Sequence, residues 1–111
     1  KKFVSEDGLI SINPSESDLK ALSNYEGKDV YLGIRSERFV GDADKDTFEC
    51  TVDVIEVLGK EKTLYVKLNS GKDLVITVPG YHQYETGEKH KFGFDLDALH
   101  FFDAETELRI N

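Results

Sequence analysis

The chain has 111 residues, with 14 Lys and Arg against 22 Asp and Glu, a formal net charge of −8, and 39% hydrophobic and 11% aromatic residues. That is length for one compact core and too little for two ordinary domains, and the aromatic content excludes a disordered segment. The acidic balance excludes non-specific attachment to DNA, RNA or anionic lipid, which depends on Lys and Arg neutralising phosphate, and the lone Cys50 excludes an internal disulfide and fits a reducing compartment.

No apolar run approaches the ~20 residues that span a bilayer, so direct membrane insertion is not expected. The first residue is Lys1 and not Met, which suggests a piece of a longer chain.

Phe3-Val4 and Leu9-Ile10-Ser11-Ile12 around Asp7-Gly8 read as a hairpin, because Asp-Gly supplies the positive φ of a tight turn. Asn13-Pro14-Ser15 followed by Glu16 and Asp18 is helix-start chemistry, and Gly27 closes the neighbourhood of this one short helix. Val30, Leu32 and Ile34 then alternate with Tyr31, Gly33 and Arg35, the pattern of a half-buried strand. Gly41 to Asp46 is an acidic loop. Phe48, Cys50, Val52 and Val54 share one phase while Ile55 and Val57 take the other, which predicts a β-bulge after Val54. Leu64, Val66 and Leu68 alternate into Asn69-Ser70-Gly71, and Leu74, Ile76 and Val78 alternate out of it, the clearest hairpin of the chain. Phe92, Phe94 and Leu96 form another face, and Leu99–Phe102 and Leu108–Ile110 bracket a turn at 103–106.

Seven or eight short strands with one short helix predict a mainly β fold, a small OB-like barrel that the bulge helps to curl. A single domain over 1–111 is expected, with a hairpin and helix in 1–27 and the barrel in 28–111. Internal repeats, low-complexity tracts and a dividing linker are absent from the sequence.

Side chains that carry chemistry are few. The Gly-Lys pairs at 27, 59 and 71 lack the upstream Gly and the following Ser or Thr of a phosphate loop and read as turns beside surface lysines. His82, His90 and His100 lie 8 and 10 residues apart, unlike zinc ligands, which come in close pairs, so no metal site is expected. His100, in the apolar run Leu99–Phe102, reads as a hydrogen-bonded, half-buried structural residue, and Cys50 as a buried inert thiol. Asp42, Asp44 and Asp46 match only the opening of a calcium loop, with Thr47 where Gly is required. Tyr81, His82 and Tyr84 are the residues able to stack on a sugar or base, without a basic groove beside them.

Three blocks in order are more specific. Leu32-Gly33-Ile34-Arg35-Ser36-Glu37 resembles the Leu-Gly-Ile-Arg-Pro-Glu segment of the transport-associated OB (TOBE) domain found after the nucleotide-binding domain in ATPase subunits of carbohydrate ABC importers of the maltose, multiple-sugar and glycerol-phosphate type. Val52 to Glu61 is similar to that family's Val-x-x-x-Glu-x-Leu-Gly-x-Glu strand and turn, and Phe92–Asp95 with Leu99–Thr106 to its Phe-Asp…Leu-His-Leu-Phe-Asp-x-Glu-Thr ending. Ser36 replaces the usual Pro, and Glu107 stands where Gly is common, which puts a positive-φ turn there in doubt.

The resemblance implies a cytoplasmic regulatory domain at the inner face of the membrane, contacting a second copy of the ATPase subunit, its own nucleotide-binding domain and, in some members, a regulatory protein. It implies interface roles for Glu56 and Phe102, with Arg35 and Glu37 as supporting contacts. Burial is the plainer reading of Phe102, since Phe is usually core. ATP and Mg belong to the nucleotide-binding domain of such a subunit, so these residues are expected to need no cofactor and to be catalytically silent. The competing reading is a free-standing OB module for an oligosaccharide or small oxyanion, with Tyr81, Tyr84 and His82 at its rim.

Overall fold

The computed structural model describes residues 2–41 and 43–111; Lys1 and Asp42, the latter one of the three acids of the partial calcium pattern, lie outside the described residues. Among the described residues, nine strands and one short helix follow in chain order: β1 Phe3–Val4, β2 Ser11–Ile12, α1 Glu16–Ala21, β3 Val30–Gly33, β4 Phe39–Gly41, β5 Phe48–Leu58, β6 Glu61–Lys67, β7 Asp73–Pro79, β8 Lys89–Phe94 and β9 His100–Asp103. The expected mainly β class holds, with β4 added; three residues are too few for alternation to reveal a strand. Every named pairing is antiparallel, in a β1–β2 hairpin, a β3–β9 ribbon and a five-stranded sheet of order β4-β8-β5-β6-β7.

Local chemistry accounts for the elements. Gly8 sits at φ 75° in the first hairpin turn. Ser15 caps α1 by accepting from the Asp18 N–H, Glu16 and Asp18 occupy the first turn, and Lys20 lies in the last, each matching the helix dipole.

The bulge comes one residue earlier than the sequence suggests. The β5–β6 register skips from Val52↔Val66 to Val54↔Tyr65, leaving Asp53 as the extra residue. Val54 therefore turns outward, and Ile55, paired with the buried Leu64, takes its place beside the core. Because Val54 and Ile55 are both β-branched and apolar, sequence phase alone does not show where the slip occurs.

The core joins both ends of the chain. Ile10 and Ile12 from the N-terminal hairpin, Phe48, Cys50 and Val52 from β5, Leu64, Val66, Ile76 and Val78 from the central hairpin, and Phe92, Phe94, Leu99 and Phe101 form one buried cluster. The rings of Phe39, Phe48 and Phe94 meet at 5.3–5.7 Å between centroids, and Phe3 meets Phe101 edge-on at 5.8 Å. Cys50 is buried, and burial pushes its thiol up to about 11, so the inert reading holds. The Asp7 carboxylate ties two hairpin turns together, accepting from Ser5 Oγ (2.6 Å), Leu9 N (3.0 Å) and, across the fold, Ser70 Oγ (2.7 Å). Those bonds, the Ser5 one foremost, lower its pKa to about 2.

The turn after β9 keeps its left-handed residue without glycine. Glu107 adopts φ 62°, held by its N–H on the Asp103 carbonyl (2.8 Å) and by the Asp103 N–H on the Leu108 carbonyl (2.9 Å). The doubt raised by its side chain is resolved in favour of the turn, at a conformational cost that glycine lacks. Glu107→Gly is expected to raise stability by about 0.5–1 kcal/mol, read as a higher urea midpoint with an unchanged slope. An unchanged or lower midpoint counts against strain at this position.

Candidate functional site

The outer face of β5, β6 and β7 carries a row of exposed apolar side chains. Cross-strand register places Val54, Tyr65 and Val75 side by side in one row, each 39–51% exposed. Alternation forces this. Tyr65 lies between buried Leu64 and Val66, and Val75 between half-buried Leu74 and buried Ile76, so both must face outward. Val54 joins them only because of the bulge.

The next row along the same face is Glu56, Thr63 and Thr77. Thr77 accepts or donates a 2.8 Å hydrogen bond with Ser36 Oγ, in the 3-10 turn Ser36–Arg38 that packs on β7. Ser36, the departure from the family's Pro, thus replaces a preset φ with a side-chain link between the turn and the sheet. Arg35 and Glu37 flank that serine and are both exposed. Three of the four expected site residues, Arg35, Glu37 and Glu56, are therefore brought to one side of the sheet through Ser36, Thr77 and Thr63.

On the opposite side of the apolar row, Lys67 and Asp73 form an exposed 3.0 Å ion pair. The hydrogen bond to Asp73 raises the Lys67 pKa, so the ammonium keeps its charge at neutral pH. The face is an apolar stripe edged by charges of both signs, a composition suited to a protein partner. Nothing in it provides a nucleophile and base in hydrogen-bonded reach of each other. Among the described residues no group of three or more His, Cys, Asp or Glu is placed to hold a metal ion, and no helix is long and apolar enough to cross a membrane.

Phe102 sits elsewhere, on the β3–β9 ribbon, opposite the exposed Tyr31. It is neither core nor fully exposed: its ring lies over Gly33, where a Cβ would come within 3.1 Å of Cε2. Gly33 is the residue whose missing side chain makes that seat. The core position of the run belongs to its neighbour Phe101, paired with Leu32. His100 is half-buried as expected, but its Nδ1 is buried without a hydrogen-bond partner among the described residues, so the expected hydrogen bond at that nitrogen is absent. The residue opposite it in the ribbon is Gly33, which has no polar side chain.

Alternation in the sequence directs Tyr65 and Val75 outward without marking them as site residues. It puts Val54 on the core face, and only the bulge moves it.

Residues 32–102, which run from β3 into β9 and contain Arg35, Glu37, Glu56 and Phe102, match the family model described as the TOBE domain. The chain belongs to the TOBE domain family. It is similar to the multiple sugar-binding transport ATP-binding protein MsmK of Streptococcus mutans, 37% identical over 116 residues that cover 97% of this chain and 30% of MsmK. It is also similar to the oligosaccharides import ATP-binding protein MsmX of Bacillus subtilis, at 31% identity covering 94% of this chain and 32% of that protein. The ABC transporter ATP-binding protein YcjV of Escherichia coli O157:H7 is 34% identical, over 98% of this chain. The chain spans about 30% of the length of YcjV, so it corresponds to the TOBE region of such subunits. These likenesses extend past the family model at its N-terminal side, where the β1–β2 hairpin and α1 feed the TOBE core.

Proposed function

We propose that this TOBE domain is a regulatory and dimerisation module of the ATP-binding subunit of an ABC-type carbohydrate importer, working at the cytoplasmic side of the membrane. The sugar class rests on the likeness to MsmX and MsmK, whose names describe oligosaccharide import and multiple-sugar transport. The observation that carries the interaction role is the Val54–Tyr65–Val75 row beside Glu56, an apolar stripe left open on a strongly acidic molecule.

Mechanically, a β-sheet face is a rigid platform. Contact made there by a second copy of the subunit persists while ATP-driven opening and closing occurs in the nucleotide-binding domains. Burying the row supplies the attraction, at roughly 25 cal/mol per Å² of apolar surface, while Arg35, Glu37 and Glu56 set register and exclude wrong partners. Phe102, with Tyr31 on the separate ribbon, is proposed as a further contact for the subunit's own nucleotide-binding domain or a regulatory protein.

The stripe is smaller than the ~800 Å² per partner of a stable complex, so association of this chain alone is expected to be weak. Sedimentation equilibrium over a wide concentration range tests it, with folding followed by circular dichroism. The expected result is a reversible dimer whose association falls about tenfold or more in Tyr65→Lys, since a buried Tyr anchor is worth at least ~1.4 kcal/mol. Glu56→Lys is expected to shift the same equilibrium and its salt dependence. A strict monomer at the highest concentrations, or a dimer indifferent to both substitutions, would exclude this face as the contact.

A further inference from the structure

We infer that the end of the five-stranded sheet where the β7–β8 loop meets β8 is a binding site for a neutral carbohydrate ring. The inference stands on different residues from the interface proposed above and does not depend on it.

An unbroken row of rings runs there from the core into solvent. Phe92 is buried, and Tyr84 lies on it at 6.1 Å and 28°. His90, which shares the core-facing side with Phe92, meets Tyr84 edge-on at 4.8 Å. His82 follows at 6.2 Å from Tyr84, and Tyr81 stacks on His82 at 4.7 Å and 29°. Tyr81, the outermost ring, is 79% exposed, the most exposed large hydrophobic residue described. One face of its ring rests on His82, leaving the opposite face to solvent. Folding gains little from an aromatic side chain in that position, since burial is what makes such residues stabilising.

The loop that presents these rings is held in place. The Lys62 ammonium donates to the His82 carbonyl (2.9 Å), and the His82 N–H to the Pro79 carbonyl (3.1 Å). The Glu88 carboxylate accepts from the Glu85 N–H (2.7 Å) and meets His90 Nε2 at 3.2 Å. The Glu85 bond, with His90, keeps the Glu88 pKa low, so the carboxylate stays charged at neutral pH. A platform fixed this way loses little freedom when a ligand settles on it.

The chemistry around the rings selects the ligand class. Gln83 and Glu85 are exposed in the same loop as Tyr81 and His82, so the loop that carries the rings also carries an amide and a carboxylate. A pyranose has an apolar C–H face for an aromatic ring and hydroxyl edges that bond to amides and carboxylates. Single-stranded nucleic acid also stacks on rings, but it requires a positive groove for its phosphates. Here the Glu88 carboxylate lies against His90 and Glu85 is exposed in the same loop, on a chain of net charge −8, which disfavours phosphate. Small oxyanions are disfavoured for the same reason.

The test is a titration of the ¹⁵N-labelled chain with maltotriose and, separately, lactose, followed by amide chemical shifts, with a deoxythymidine oligonucleotide and inorganic sulfate as comparison probes. The expected result is saturable shifts confined to residues 81–85 and 88–90, with a dissociation constant on the order of 1 mM. Tyr81→Ala removes an exposed ring and leaves the fold intact, and it is expected to weaken binding about tenfold or more. Tyr65→Lys, on the outer face of the sheet, is expected to leave it unchanged. The inference is overturned if neither sugar gives a saturable shift up to tens of millimolar, if Tyr81→Ala binds as well as the parent, or if only the oligonucleotide or sulfate binds.

Discussion

Phe101→Ala is expected to lower the unfolding free energy by about 3–5 kcal/mol, the range for emptying a fully buried aromatic site. Phe101 is wholly buried, pairs with Leu32 across the β3–β9 ribbon and receives the edge of Phe3 from the N-terminal hairpin. The hole therefore opens where three parts of the chain meet, and rigid strands collapse into such a space poorly. Urea unfolding followed by circular dichroism measures the loss. Hydrogen exchange locates it: β1, β2 and β3 are expected to lose protection more than β6 and β7. The neighbouring Phe102→Ala, half-buried over Gly33, is expected to cost less than half as much. Equal losses at the two positions would contradict the assignment of Phe101 to the core and Phe102 to the surface.

Asn111→Ala is the second large effect. The Asn111 amide donates to Asp18 Oδ1 (2.7 Å) and to the Leu99 carbonyl (2.9 Å), and its oxygen accepts from the Phe101 N–H (2.9 Å). One side chain thereby joins α1 to the stretch entering β9, across 93 residues of sequence. Asp18 is buried, so removing the amide leaves a carboxylate short of a partner away from water. A lost bond to a charged group with a stranded acceptor costs about 2–4 kcal/mol. The substitution is expected to lower the urea midpoint and to release α1 selectively in hydrogen exchange. Asp18→Ala, which removes the stranded charge as well, should in combination with Asn111→Ala cost less than the sum of the two single changes. Strict additivity would show that the pair does not interact.

Much of the fold is legible because its signals are local. A strand with one buried face needs only a period of two, and β6 and β7 announce themselves through Leu64, Val66, Ile76 and Val78. The turn at Gly71 and the Ser15 cap are equally short-range, each decided within four residues. The bulge was legible as an event and not as a position, since two adjacent β-branched residues fit either phase. The interface candidate was partly legible. Family motifs point to Glu56 and Phe102, yet the row most able to attract a partner contains Val54, Tyr65 and Val75, and a row needs register across three strands.

By itself the sequence determined the acidic character, the mainly β class, the outward direction of Tyr65 and Val75, and the ordered blocks by which the TOBE family is recognised, because each depends on composition or on neighbours in the chain. The tertiary structure alone decided that Val54 leaves the core, that Glu37 and Glu56 share a side through Ser36 and Thr77, that Asn111 holds Asp18, and that five rings line up from Phe92 to Tyr81. Each of these depends on register or on contacts between distant segments. Such contacts are selected by the free energy of the whole packed core, which no local pattern encodes.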